Sequence, residues 1–243
     1  MTSKEIFSFL DLTSLNATDN LQSISELVVF ALEQHHRNNS VAAVCVYSDF
    51  GGFVQEKLAS TGIQTAVVAG AFPHGLSSLE TKVFEVQQMA KTGVDEIDIV
   101  INRGLLLAEH FEQAEEELQA LRAAAPNVCL KVILETGELL DEQLIKRATS
   151  IAIAAGADFV KTSTGKCAIG ATPEAVKWMS EIVLEHYEKT GKKVGIKVSG
   201  GVKTKADAVQ YISIVENTLG SSWLKPKLFR IGASSLAHEL LTN

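Results

Sequence analysis

Cysteine is scarce in this chain. Three residues, Cys45, Cys129 and Cys167, sit far apart, with no CxxC pair and no histidine at ligand spacing. That pattern supplies neither a disulfide frame nor a zinc site and reads as reduced thiols in a cytosolic protein. Aromatic residues make up only 6% of the sequence against 46% hydrophobic in total, so the core has to be built from Val, Ile, Leu and Ala. No apolar run reaches the roughly 18 residues of a membrane span. The start, Met1-Thr2-Ser3-Lys4-Glu5, lacks the charged and apolar regions of a signal peptide. Net basic charge is missing as well: the formal charge is −7, with no basic block to offset it. A nucleic-acid footprint is therefore not expected, and an anionic substrate would have to be drawn in by local lysines. These absences predict a cytoplasmic protein with neither membrane nor nucleic acid as partner.

What is present is a cadence. Short apolar runs alternate with helical patterns along all 243 residues, without a linker or a change of composition. After a short helix over residues 4–10, strands are expected at 10–13, 41–47, 65–69, 96–101, 129–135, 157–161, 194–198 and 228–232. Helices are expected between them, over 20–36 (capped by Asp19), from Gly51-Gly52 to Ser60, and over 77–92, 109–125, 141–155, 172–187 and 205–217. A last helix covers 233–241. Gly93 and Gly156 stand where helices should stop, and Thr172-Pro173 supplies a cap and a first-turn proline. Strands alternating with helices imply βαβ units and a parallel sheet. Eight units in a chain of about this length favour a closed (β/α)8 TIM barrel. An open doubly wound sheet would show a GxGxxG turn after its first strand, which is absent. The expectation is a single catalytic domain, 1–243, with a short N-terminal helix.

Buried parallel strands should be nearly unbroken hydrophobic runs, and several here are not. Side chains alternate faces along a strand. Glu96 and Asp98 thus share one face of the fourth strand, opposite Ile97 and Ile99. Lys131 faces the same way as Ile133 and Glu135 in the fifth, Lys161 as Phe159 in the sixth, and Lys197 as Gly195 and Ser199 in the seventh. The apolar faces should meet the helix layer, which turns Asp98, Lys131, Lys161 and Lys197 into the barrel. For Lys131, with Asp98 and Glu135 in reach, a structural ion pair and a site role weigh equally. Lys161 and Lys197 are harder to pair, since three interior lysines face few carboxylates. Adjacent ammonium groups and burial both depress a lysine pKa. A lysine that becomes a free amine near neutral pH is a nucleophile for carbonyls.

Two further loops speak to the substrate. Ser199-Gly200-Gly201 follows the seventh strand, and Gly232-Ala233-Ser234-Ser235 follows the eighth where a helix starts. In TIM barrels these loops commonly receive phosphate on backbone N–H groups and a helix N-terminus. With Lys166 nearby, a phosphorylated carbonyl compound fits.

The chain resembles the 2-deoxy-D-ribose-5-phosphate aldolase family, metal-free class I aldolases, over nearly its whole length. The most specific segment is Phe159-Val160-Lys161-Thr162-Ser163-Thr164-Gly165, supported by Glu96-Ile97-Asp98, by Lys131 through Gly137, by Gly195-Ile196-Lys197 before Gly200-Gly201, and by Phe229 through Ser235. The resemblance implies a Schiff base on Lys161, Lys197 as the neighbouring cation, and Asp98 moving protons through a bound water. It further implies Asp11 near a substrate hydroxyl, Cys45 near the carbonyl end, Lys131 in the substrate pocket, and Gly165, Lys166, Gly200, Gly201, Ser234 and Ser235 around a phosphate. No metal and no cofactor is implied, and a homo-oligomer, by default a dimer, is. The implied reaction is reversible cleavage of 2-deoxy-D-ribose 5-phosphate in deoxyribonucleotide catabolism.

Two departures stand out: Ser48-Asp49 where many members carry a proline and a basic residue, and an ending at Leu241-Thr242-Asn243 without the tyrosine-ended tail of some members. Rival readings are a phosphate-binding barrel aldolase for another sugar phosphate and a non-catalytic binding barrel.

Overall fold

The computed structural model describes residues 1–242; Asn243, the last residue of the expected domain and terminal segment, lies outside them. Eight parallel strands close into a barrel in sequence order. They are β1 (Leu10–Thr13), β2 (Ala43–Tyr47), β3 (Gln64–Ala69), β4 (Glu96–Val100), β5 (Cys129–Ile133), β6 (Phe159–Lys161), β7 (Gly195–Ser199) and β8 (Phe229–Ala233). β8 pairs back onto β1, with Asp11 opposite Gly232. The architecture is the expected (β/α)8 barrel.

Among the described residues eleven α-helices accompany the strands: α1 (Ser3–Phe7), α2 (Leu21–His36), α3 (Ser48–Leu58), α4 (Leu79–Lys91), α5 (Arg103–Leu107), α6 (Phe111–Ala124), α7 (Thr136–Leu139), α8 (Glu142–Ala154), α9 (Pro173–Thr190), α10 (Lys205–Leu219) and α11 (Ser235–Thr242). Their local causes are visible. Thr172 caps α9 through the Ala175 N–H with Pro173 at the first position, and left-handed Gly191 ends it. α2 begins one residue later than expected. Its cap is Asn20, whose side chain accepts from the N–H groups of Gln22 and Ser23, while Asp19 binds the Ser14 hydroxyl instead. Gly51 and Gly52 do not precede α3 but lie inside it. Gly51 is needed there because a Cβ would come within 2.7 Å of Val67 on the adjoining strand. Two short helices, α5 and α7, sit in loops after β4 and β5 where none was expected.

The outward strand faces, among them Val44, Val46, Val67, Ile97, Ile99, Val132, Val160, Ile196 and Ile231, join the helices in one continuous apolar cluster. Inside the barrel the two halves differ. The β2–β3 side is small and apolar, with Ala43, Cys45, Ala66 and Val68 packed with Leu15 and flanked by Tyr47 and Phe72. From β4 round to β1 the interior carries charge: Glu96, Asp98, Lys131, Lys161, Lys197, Arg230 and Asp11 are all buried. That asymmetry places the site.

Candidate active site

The strand registers explain how distant residues meet. Asp98 stands opposite Lys131, and Lys161 opposite Lys197. Asp98 Oδ2 is 2.7 Å from the Nζ of both Lys161 and Lys197, and its Oδ1 is 3.0 Å from Lys131 Nζ. One carboxylate therefore joins three lysines. Asp11 crosses from β1, with Oδ2 2.5 Å from Lys197 and Oδ1 2.6 Å from Arg230. Glu96 closes the lower side, 2.5 Å from Lys131 and 2.6 Å from Arg230. Gly232 leaves space for Lys197; a Cβ there would sit 3.2 Å from its Cε.

Lys131 therefore takes the ion-pair arrangement. It bonds Glu96 and Asp98, lies near Asp11 at 3.5 Å, and is fully buried below the cleft. The expected approach to Glu135 does not occur. β5 ends at Ile133, and Glu135 adopts a left-handed backbone (φ 56°) that breaks the alternation and turns its carboxylate to Thr164.

The lumen holds four cations, Lys131, Lys161, Lys197 and Arg230, against the carboxylates Asp11, Glu96 and Asp98. Two like charges about 4 Å apart repel by about 4 kcal/mol at an effective dielectric near 20, so one excess buried ammonium is the unstable member. The surroundings select which. Burial lowers the Lys161 pKa and the Lys197 ammonium lowers it further, against the pull of Asp98, for a net value below the ordinary lysine range. Burial works the same way on Lys197, yet Asp11 and Asp98 outweigh it and hold the group charged. Asp98 and Glu96 do the same for Lys131. Burial alone would raise the Asp98 carboxyl, but its three lysines keep it well below the usual carboxylate range. Of the three lumen lysines, Lys161 alone is driven toward the free amine.

Lys161 also forms part of the wall of a cleft of about 740 Å³ over the C-terminal ends of the strands. Gly165, Lys166, Gly200, Gly201, Ser234 and Ser235 all line it, together with residues 14–16 from the loop after β1. Gly165, Gly200 and Gly201 have positive φ (77°, 87° and 87°). Their N–H groups, with that of Ser234, have no acceptor among the described residues. Adding the N-terminus of α11 makes a nest of donors suited to an anion. Lys166 spans the cleft from the other side and donates to the Leu15 carbonyl. Asp11, Cys45, Asp98, Lys131 and Lys197 are not in the cleft wall; they lie fully buried beneath it. Asp49 is exposed in the first turn of α3 and does not reach the cleft. Among the described residues no group of His, Cys, Asp and Glu could hold a metal ion, and no helix is long and apolar enough to cross a membrane.

Sequence reading missed Arg230. It occupies an inward position on β8 between apolar Phe229 and Ile231, the same signal that flagged Lys197.

The family model for the DeoC/LacD family aldolase matches residues 6–219. The chain belongs to the DeoC/LacD aldolase family. It is an aldolase, a carbon–carbon lyase, and its relatives agree. A Caenorhabditis elegans protein is 40% identical over 242 residues, covering 98% of this chain and 80% of that one. The human deoxyribose-phosphate aldolase is 37% identical over 246 residues, covering 96% of this chain and 77% of its own. A solved structure from Toxoplasma gondii superposes with a TM-score of 0.85 at 25% identity, over 99% of this chain and 93% of that one. The deoxyribose phosphate aldolase of Aeropyrum pernix, a tetramer, shares the aldolase fold at a TM-score of 0.76 and 24% identity, over 99% of this chain and 91% of that one.

Proposed function

We propose that this aldolase cleaves 2-deoxy-D-ribose 5-phosphate reversibly to acetaldehyde and D-glyceraldehyde 3-phosphate through a Schiff base on Lys161. The observation that carries the reading is the pairing of a depressed-pKa lysine at the cleft wall with a nest of backbone donors in the same cleft. The first suits an aldehyde and the second a phosphate. The human relative is named for the corresponding activity.

In this mechanism the uncharged Lys161 amine attacks C1 of the open-chain aldehyde. Loss of water gives an iminium, which stands where the lysine charge stood, against Asp98. The iminium withdraws electrons from the C2–C3 bond. Removal of the C3 hydroxyl proton then breaks that bond, releasing D-glyceraldehyde 3-phosphate and leaving an enamine on Lys161. Protonation at C2 and hydrolysis release acetaldehyde and restore the amine. Asp98, held ionised by its lysines, is the group through which protons pass by way of a water, and Lys197 keeps the neighbouring charge positive throughout. Lys166, Gly165, Gly200, Gly201, Ser234 and Ser235 receive the phosphate. Asp11 and Cys45 border the sugar from below, Asp11 toward a hydroxyl and Cys45 toward the carbonyl end, and Lys131 supports Asp98.

The reading extends to a single catalytic domain acting in deoxyribonucleotide catabolism. Three free thiols accord with a reducing, cytoplasmic compartment. A homo-oligomer, by default a dimer, is the assembly that light scattering would check.

The deciding experiment is borohydride reduction in the presence of deoxyribose 5-phosphate, followed by peptide mass analysis. An adduct on the peptide carrying Lys161 is expected. No adduct, or one on Lys131, counts against the mechanism. Cleavage of fructose phosphates in preference to deoxyribose 5-phosphate would reassign the substrate.

A further inference from the structure

Glu135 is a buried carboxylate that the mechanism leaves unused. It is 0% exposed, and none of the ion pairs among the described residues includes it. It also holds a left-handed backbone, φ 56° and ψ 57°, which is costly for a residue with a side chain beyond Cβ. What that conformation achieves is a reach across to the loop after β6. The Thr164 N–H is 3.3 Å from each carboxylate oxygen, and the Thr164 hydroxyl donates to Oε2. Because that hydroxyl gives its hydrogen to Glu135, its lone pair is free to accept the Lys166 N–H, at 3.1 Å. The chain of bonds runs from Glu135 through Thr164 to Lys166, with Gly165 fixed between.

The neighbouring contacts keep the two loops together. The Thr136 N–H donates to the Thr162 carbonyl at 2.9 Å. Gly137 lies so close to the same loop that a Cβ would come within 2.1 Å of the Ile169 carbonyl oxygen. A charged carboxylate meets both Thr164 donors with charge-assisted bonds whichever oxygen faces them, whereas an amide can meet them only through its single oxygen and with weaker, neutral bonds.

We propose that Glu135 is a positioning residue for the phosphate end of the site: it fixes Thr164, and through it the Gly165 N–H and Lys166, in the shape that receives an anion. The inference rests on the proposed aldolase reading for its substrate and acts away from the reacting carbonyl. It predicts a split between substrates that differ only in the phosphate.

Glu135→Gln, Thr164→Val and Thr164→Ser are compared with the unaltered enzyme on 2-deoxyribose 5-phosphate and on 2-deoxyribose. Glu135→Gln and Thr164→Val should raise KM for the phosphorylated sugar about tenfold with kcat little changed, and leave kcat/KM for the plain sugar within about twofold. Thr164→Ser, which keeps the hydroxyl, should behave as the unaltered enzyme. Inorganic phosphate binding, followed by calorimetry, should weaken in parallel. Equal losses on both sugars, or an unchanged KM for the phosphorylated one, overturn the proposal. So does phosphate binding that is insensitive to Glu135→Gln or unmeasurable in the unaltered enzyme. An unaltered enzyme that cleaves neither sugar while its phosphate affinity falls on Glu135→Gln removes the aldolase reading and supports this one.

Discussion

Lys161 and Lys197 place their Nζ atoms on the same oxygen of Asp98, each at 2.7 Å. Sharing one acceptor keeps the two amines close while only one of them has a second carboxylate, Asp11, to hold its charge. The pair is therefore unequal by construction: Lys197 stays protonated and Lys161 gives way.

A pH dependence follows from that inequality. Condensation with an aldehyde needs the uncharged amine, so kcat/KM should rise with pH through the Lys161 pKa and level off below the ordinary lysine value. Lys197→Met removes a cation that lowers the Lys161 pKa and leaves Asp98, which raises it, in place. Its rising limb should move to higher pH, alongside a lower plateau. Steady-state rates between about pH 5 and 10 test this; an unmoved limb would mean that burial alone sets the amine.

The barrel was legible because a strand covered on both faces has few ways to be written. Val41 through Val46 and Ile196 with Val198 are apolar runs, and charges at alternate positions of β4 to β7 betray an inward face. The ion pairs were less legible, since they join residues far apart in the chain. Arg230 meets Asp11 across 219 positions, and Asp98 meets Lys197 across 99. No local pattern announces such a partner. Glu135 was assigned to the wrong company for a different reason: period-2 reasoning holds only while the strand continues, and one left-handed residue re-aims the side chain. Helices α5 and α7, five and four residues long, are too short to carry a hydrophobic period at all.

Gly232→Ala tests the packing beneath the imine. A Cβ there would lie 3.0 Å from Ser199 Cβ and 3.2 Å from Lys197 Cε. The flexible lysine stem is the easier of the two to displace, which takes Nζ away from Asp98. kcat should fall about tenfold or more, since misplacement of a charged group by a fraction of an ångström is enough. KM for the phosphorylated sugar should change little, and a circular dichroism melt should show the fold retained. Unaltered kcat would show that Lys197 has more room than its contacts allow.

The thiols should be inert in the folded protein. Burial pushes the Cys45 thiol up, and it pushes Cys129 up to about 12. Burial and the Glu138 carboxylate, 3.2 Å from Sγ, raise Cys167 to about 12. The thiolate, not the thiol, is the nucleophile. Iodoacetamide at about pH 8, near the ordinary thiol pKa, should therefore label the native chain slowly, and urea should expose all three sites. Mass spectrometry reads the outcome directly. Rapid labelling of Cys45 without denaturant would show that the lumen opens from the cleft.

Arg230 is the cation on which the lower lumen depends, since it bonds both Asp11 and Glu96 at 2.6 Å. Arg230→Met leaves two buried carboxylates short of a partner, and breaking a buried pair in this way costs about 3–5 kcal/mol. Lys131 and Lys197 remain to hold part of the charge, so the chain should still fold, with a lower urea midpoint. Glu96→Gln placed in the Arg230→Met background removes one of the stranded charges. It should cost less there than in the unaltered protein, giving a coupling of about 0.5–3 kcal/mol in a double-mutant cycle. Acid sharpens the test. Burial would raise the Asp11 carboxyl, but Lys197, Arg230 and Lys131 overcome it and hold the group below the usual range. The stability this contributes is complete above the unfolded carboxylate pKa and is lost as pH falls through the lower folded value. Removing Arg230 raises that folded value toward the unfolded one, so the variant, less stable to begin with, should lose less further stability on acidification and complete that loss at a higher pH than the parent. Parallel acid limbs in the two proteins would assign Asp11 to its lysines alone.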